Sequence, residues 1–477
     1  MPPSPSVFQG RDLTTGSIPK HLIMFALPML LGTFLQTAYA VVNTIWVGQF
    51  LGKSAMAAIT VSFPVIFVLI AVGAGLTMSA TVLISQYYGA KNLTALHKVV
   101  QTSTSLLLTL GFVLFTLGEI FTPHILRAIS TPPEVLEMAE SYMRVFLLTL
   151  PTLFGTFLVR ASLQGIGDSK TPLYFQVGSL LINVILDPLL MLGWYGFPKL
   201  GLNGPAWASV IAQYLGMFAL WFYLHRKKNL VSPEWGRLRG NWDSHTAWDI
   251  ILIGIPSAVQ QALVSIGMLF VTGVINRFGE VATASFGAAS RIDQVVFMPA
   301  MTFSMAVATL TGQNIGANAL HRVRDVFKWG VILSGGITLV GSIVAVSCSE
   351  MLLRIFIKDT AVITEGSHYL HIVGPAYICF AVMFVSNGIM NGSGHTSVST
   401  IVTLVSQWLF RVPMAFWLSD HLHNVQGVWY AIAFSFFVST IVSLCFYFSG
   451  FWKKPVVRRK PITASPEATF GDGAGEM

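Results

Sequence analysis

The chain has 477 residues, of which 54% are hydrophobic and only 10% charged, with a mean hydropathy of +0.68. A soluble domain carries about 25% charged residues, so this composition excludes a water-soluble globular protein and points to an integral membrane one. The net charge of +8 raises nucleic acid as a partner, but the placement of the charges along the chain argues against it.

The first 20 residues are polar and rich in Pro, Ser and Thr. The apolar segment after them is too long for a signal-peptide core, so it is expected to stay as the first helix. Uncharged runs of about 18 or more residues can cross a bilayer as helices. Twelve are predicted, at 22–48, 56–84, 99–120, 142–163, 172–193, 204–224, 248–275, 282–309, 329–349, 368–390, 398–418 and 428–450. They divide the chain into a cytoplasmic N-terminal segment (1–21), an N-lobe of six helices (22–224), a cytoplasmic linker (225–247), a C-lobe of six helices (248–450) and a cytoplasmic tail (451–477). The basic linker, with Trp235 and Trp242, is expected to lie along the headgroup surface, and the polar stretch 455–477 to be disordered.

With twelve spans and a cytoplasmic start, 18 of the 28 Lys and Arg residues fall on the inner side, seven on the outer side, and Arg160, Arg291 and Arg411 within spans. That bias follows the positive-inside rule and predicts both termini in the cytoplasm. The terminal basic run then serves as an orientation signal and a lipid-headgroup contact, and no nucleic-acid partner is expected.

The chain repeats itself. SerGlnTyrTyrGlyAla (Ser85 to Ala90) recurs as GlyGlnAsnIleGlyAla (Gly312 to Ala317), 227 residues later. The same offset pairs Gly165 and Gly167 with Gly392 and Gly394. Pro28 pairs with Pro256, and Gly204 with Gly427, after small shifts. Six spans per half is an even number, so the halves are parallel repeats, an arrangement common in transporters that bind substrate between them. Pro28, Pro64, Pro151, Pro256, Pro299 and Pro375 lie within spans, where each can kink its helix.

A carboxylate in mid-membrane is costly and calls for a reason. Only Asp187 and Asp293 sit well inside spans. Asn183 precedes Asp187 by four residues and shares its helix face. At about 1.5 Å per residue, Asp187 and Asn43 lie roughly 12 Å, and Ser209 about 9 Å, below the outer ends of their helices. Oxygen groups at one depth suit a hard cation such as Na⁺, and a buried carboxylate can alternatively take a proton. In the second half Arg411 stands where an acid would repeat. Asp293 and Arg291 are two residues apart and do not share a face.

The order of several motifs resembles bacterial members of the multidrug and toxic compound extrusion (MATE) family. The matching segments are Pro28, AsnThrIleTrpValGly (Asn43 to Gly48), the two GlnXaaXaaGlyAla blocks, Leu163 to Pro172, AsnValIleLeuAspPro (Asn183 to Pro188) and Arg291 to Asp293. The resemblance covers about residues 15–450. It implies an all-α integral membrane protein with twelve transmembrane helices in two six-helix lobes around a central cleft. It also implies a secondary multidrug transporter of the plasma (inner) membrane that exchanges amphipathic organic cations for Na⁺ or H⁺.

In that family the N-lobe holds a cation site, and Asn183, Asp187 and Ser209 match its pattern. Asn43 departs from it, because many relatives have Asp there. One carboxylate with Asn, Asn and Ser leaves a formal charge of −1, enough for one Na⁺ or one proton. Tyr39, Phe63, Met78, Phe286, Met298 and Met305 are candidates for the cleft lining by span position, since Met and aromatic side chains suit varied lipophilic cations. Gln260, Gln261, Arg291 and Asp293 are further substrate-contact candidates.

No phosphate loop, nucleophile–base pair or metal spacing is present, so neither an enzyme nor a cofactor is expected beyond the coupling ion. Cys348, Cys379 and Cys445 read as small buried hydrophobes, and a monomer with lipid neighbours is expected. The alternative is a lipid-linked oligosaccharide flippase of similar two-lobe architecture, which would need more Arg and Lys in a hydrophilic cavity.

Overall fold

A computed structural model describes residues 10–129, 131–233 and 242–454. Nearly all of them are helical, and none of the described residues lies in a strand. The helices are α1 (Ile18–Gly52), α2 (Ser54–Gly89), α3 (Leu93–Ala128), α4 (Pro133–Leu147 continued by Leu150–Gly165), α5 (Lys170–Leu192), α6 (Asn203–Arg226), α7 (Ser244–Asn276), α8 (Glu280–Gly316), α9 (Leu320–Ser347), α10 (Thr360–Gly392), α11 (Thr396–Leu422) and α12 (Gln426–Phe448). Eleven are single helices long and apolar enough to cross a membrane, and the bent pair of α4 makes the twelfth. Trp235, residues 1–9 and the stretch 455–477, with the expectations placed on them, lie outside the described residues.

Local chemistry explains where the helices stop. Gly52 has φ 79° and ψ −165°, a conformation that suits glycine, and it alone breaks α1 from α2. Asn92 caps α3 by accepting from the Ala95 amide at 3.0 Å. Asp168 accepts from the amides of Lys170 and Thr171, both at 3.0 Å, where α5 begins. Asp243 and Asp359 cap α7 and α10 in the same manner.

The helices run beyond the predicted apolar cores at most ends. α8, for example, extends to Gly316 and so carries the repeat block on its last turn. The fourth helix of each lobe departs from regular α-helix near a proline. α4 turns by 42° just before Pro151, and α10 passes through a 3₁₀ turn at Gly374–Ala376 that holds Pro375. Residues Leu404–Arg411 of α11 form a π-helical stretch, while α5, its counterpart, stays α-helical through Asn183 and Asp187.

Buried side chains form one cluster mainly in the N-lobe, one in the C-lobe and one that joins the start of α1 to the C-lobe. The cluster at the face where the described chain begins and ends gathers Leu13, Leu22 and Phe25 with Leu310, Val385 and Trp452. The hydrogen bonds that join the lobes gather at this same face. Gln86 donates to the Gly392 carbonyl at 3.0 Å, and Gln313 donates to the Gly165 carbonyl at 2.9 Å. Each repeat-block glutamine therefore grips the Gly-Xaa-Gly turn of the opposite lobe. The backbones approach so closely that a Cβ on Gly89 would stand 2.0 Å from the Gln313 carbonyl oxygen, and one on Gly316 would stand 2.0 Å from that of Gln86.

The segment before α1 straps the seam. The Arg11 amide donates to the Ile166 carbonyl in the N-lobe at 2.9 Å. The Leu13 amide donates to Gln313 Oε1 in the C-lobe at 3.0 Å, and Arg322 donates to the Gly16 carbonyl at 3.0 Å.

Each glutamine bond is worth about 1 kcal/mol. Replacing both, as Gln86→Ala with Gln313→Ala, should shift the seam toward its open form by about 2 kcal/mol, roughly a thirtyfold change in population. Hydrogen–deuterium exchange of the full chain in detergent should then speed up in the two repeat blocks and at 10–17. Unchanged exchange there would show that the glutamines do not hold the lobes together.

Candidate functional site

α5 carries Asn183 and Asp187 one turn apart, and both are buried, at 7% and 2% exposure. α1 packs beside it and carries Tyr39 and Asn43 with the same i, i+4 spacing. The Tyr39 hydroxyl donates to Asp187 Oδ2 at 3.1 Å, and the Asn43 amide donates to the same oxygen at 3.2 Å and to the Tyr39 oxygen at 2.9 Å. On the other side, Asn183 donates to Ser209 of α6 at 3.3 Å. Three helices thus bring together the four residues singled out in the N-lobe and add Tyr39, which the sequence had suggested for the cleft.

Two acceptors in this cluster, Asp187 Oδ1 and Asn183 Oδ1, are buried without a hydrogen-bond partner. A buried acceptor left open costs about 1–3 kcal/mol or more. An incoming proton on Asp187, or a hard cation among these oxygens, would remove that cost. The donor set fits one positive charge, since Asn43 contributes an NH₂ group where a second carboxylate would contribute another negative charge.

The cluster opens onto a cavity of about 280 Å³ inside the N-lobe. Tyr39, Asn183 and Ser209 line it together with Thr156, Arg160, Gln176 and Gln213 and with the rings of Phe146, Phe157 and Phe175. Gln176 is engaged by the Gly32 carbonyl at 3.1 Å and by Gln36 at 3.3 Å. In the sequence Arg160 is only an intramembrane charge, because nothing in a linear pattern shows that α4, α5 and α6 enclose a space.

The C-lobe is built differently. Asp293 is 8% exposed and turns into the lobe interior, where the Tyr369 hydroxyl donates to one carboxylate oxygen at 2.5 Å and the Tyr377 hydroxyl to the other. Arg411, the residue that replaces the acid of the first half, donates to Ser435 at 2.7 Å and lies 4.9 Å from the Phe436 ring centre. Phe286 packs on Tyr369 and stacks on Trp429 within the lobe core, and Met298 is buried as well. Gln260 donates to Thr403 at 3.3 Å and so ties α7 to α11. Gln261, Arg291, Phe63 and Met305 are exposed, and Met78 is partly buried. The tyrosines of α10 lie some 80 residues from Asp293, a separation that no local sequence pattern bridges.

A duplicated helical frame with an intramembrane carboxylate beside a cavity in one half defines a two-lobed membrane transporter. The chain belongs to the MatE family, whose profile matches residues 28–189 and 256–417, one stretch in each lobe. It is 33% identical over 448 residues to the probable multidrug resistance protein YoeA of Bacillus subtilis, covering 93% of this chain and 96% of that protein. It is 27% identical to the probable multidrug resistance protein NorM of Thermotoga maritima, covering 92% and 94%. Among solved structures, a MATE protein crystallised in its straight conformation superposes with a TM-score of 0.86 over 94% of this chain and 99% of that one, at 22% identity. At that identity the likeness concerns the fold.

The closed C-lobe network should be mainly structural. A bond from a hydroxyl to a carboxylate contributes about 1.5–3 kcal/mol. Tyr369→Phe and Tyr377→Phe should each lower the melting temperature of the detergent-solubilised protein by a few degrees. Tyr39→Phe, which leaves Asn43 on Asp187, should lower it less; an equal or larger drop for Tyr39→Phe would contradict the contrast between the lobes.

Proposed function

We propose that this chain exports amphipathic organic compounds across the plasma (inner) membrane by antiport against Na⁺ or H⁺, with the N-lobe cluster around Asp187 as the coupling site. The observation that carries this reading is the Asp187 carboxylate itself. One oxygen takes two donors from α1, while the other is buried and unpartnered, and Tyr39 and Asn183 of the same cluster line a cavity. That arrangement holds the side chain in place and leaves it able to take a single positive charge. The names of the relatives, multidrug resistance proteins, agree with drug export.

The Lys and Arg bias of the sequence supports a cytoplasmic side for both termini. On that orientation the repeat-block seam and its N-terminal strap close the cytoplasmic side, and the conformation described is outward-facing. Transport then requires the Gln86–Gly392 and Gln313–Gly165 bonds to part. The coupling ion can drive that change only by binding the two states with different affinity. Residues of α1 supply both Tyr39 at the site and, at its start, contacts in the seam cluster, so α1 is the element through which site and seam would be linked. The chain is expected to act as a monomer. A lipid-linked oligosaccharide flippase is less well supported, because Arg160 alone among the described Lys and Arg residues lines the N-lobe cavity and Arg411 is engaged by Ser435 and Phe436.

Reconstituted into proteoliposomes, the wild type should move a lipophilic dye under an imposed Na⁺ gradient or under an imposed pH gradient, tested separately. Asp187→Asn keeps the shape but removes the charge, and it should abolish dye movement at normal expression. Transport by Asp187→Asn at the wild-type rate would sink the assignment of the coupling site. Lack of transport under both gradients by the wild type would sink the antiport reading.

A further inference from the structure

The cavity in the N-lobe carries a cation of its own. Arg160 lies in the second part of α4, five residues before its end at Gly165. Its guanidinium is charged at any physiological pH. Among the described residues it has neither an ion-pair nor a hydrogen-bond partner, and no acid lines the cavity around it. Thr156, one turn earlier on the same face, has a buried hydroxyl without a partner, and so does the side-chain oxygen of Gln213 across the cavity. An uncompensated charge with unpaired polar neighbours inside a lobe is costly. A ligand that brings an anionic group would offset that cost, and a carboxylate fits the guanidinium fork with two parallel bonds.

We propose that Arg160 is the anion-recognising residue of the N-lobe cavity, so that the preferred ligands are aromatic carboxylates or zwitterions and not simple cations. This rests on the reading of the cavity as a binding site for transported compounds. The rings of Phe157 and Phe175 supply flat apolar surface for the aromatic body. At about 1.5 Å per residue, Arg160 lies roughly 8 Å and Asn183 roughly 20 Å in from the seam-side ends of α4 and α5. The anionic and the oxygen-rich ends of the cavity are therefore about 12 Å apart along the lobe. That separation suits a molecule with a carboxylate at one end and an ammonium at the other. A phosphate of a lipid headgroup shares the anionic chemistry and could reach Arg160 from the membrane surface, and the experiment separates the two.

The test uses the purified full chain in nanodiscs of phosphatidylcholine, with no gradient. Binding is read by fluorescence polarisation for a zwitterionic xanthene dye with a free carboxylate and for the methyl ester of the same dye. The carboxylate form should bind more tightly. Arg160→Gln should weaken it by roughly tenfold to a hundredfold, the loss expected for hydrogen bonds to a charged group, and should tighten the ester by removing a like charge. Arg160→Lys should restore part of the carboxylate preference. If Arg160→Gln binds neither dye, Arg160→Lys decides, and no recovery of the carboxylate dye by it overturns the proposal.

Equal affinity of the wild type for both dyes also overturns the proposal. So does complete displacement of the carboxylate dye when phosphatidylglycerol is added to the nanodisc, since the occupant would then be a headgroup. Because no transport is measured, a chain that binds the carboxylate dye through Arg160 but never moves it would refute the antiport reading and leave this one standing.

Discussion

A polar atom placed at the depth of the hydrocarbon has no water to bond, and its partner must come from the protein. Each polar cluster in this molecule answers that constraint in its own way. Asp293 answers it fully, with a tyrosine hydroxyl on each carboxylate oxygen. Arg411 answers it with Ser435 and an aromatic face. The N-lobe answers it only in part: Asp187 keeps one unpaired oxygen, and the unpaired atoms of Asn183, Thr156 and Gln213 belong to residues that line one cavity. Where a protein leaves such costs open at several neighbouring positions, a ligand is the natural group to close them.

Duplication explains the frame, and divergence explains the work done in it. The repeat blocks meet at the seam as a reciprocal pair, each glutamine holding the glycine turn of the other lobe. The glycines are required because the two backbones touch. The fourth helices are irregular near a proline in each lobe, α4 bent before Pro151 and α10 in a 3₁₀ turn at Pro375. The fifth helix of each lobe differs: α5 is a regular helix with a carboxylate, and α11 is π-helical over Leu404–Arg411 and carries an arginine. One lobe therefore holds a carboxylate with an open oxygen, and the other a carboxylate with a donor on each oxygen.

Linkage between site and seam follows from how the chain is routed. α1 begins among the buried side chains that close the seam and, some twenty residues later, presents Tyr39 and Asn43 to Asp187. A helix of this length bridges the two regions without an intervening loop. Pro28 lies between them and removes one backbone bond, which gives the helix a place to bend. The strap at 10–17 joins both lobes to the start of this same helix.

Much of this was legible in the order of residues alone. Apolar run length set the twelve helices, because spanning a bilayer demands a minimum length and excludes charge. The duplicated block showed two lobes, and the cost of a mid-membrane acid pointed to Asp187 with Asn183 one turn away. Spacing within one helix also held the clue to Tyr39, four residues before Asn43. What only the tertiary structure decided were relations between helices distant in sequence. Tyr369 and Tyr377 enclose Asp293, Phe286 belongs to the C-lobe core, and Arg160 faces a cavity with Thr156 and Gln213. Hydropathy and periodicity report which face of a helix is apolar, but in a membrane both lipid and protein neighbours are apolar. Which helix stands opposite, and whether a space is left between them, is settled only when the helices pack.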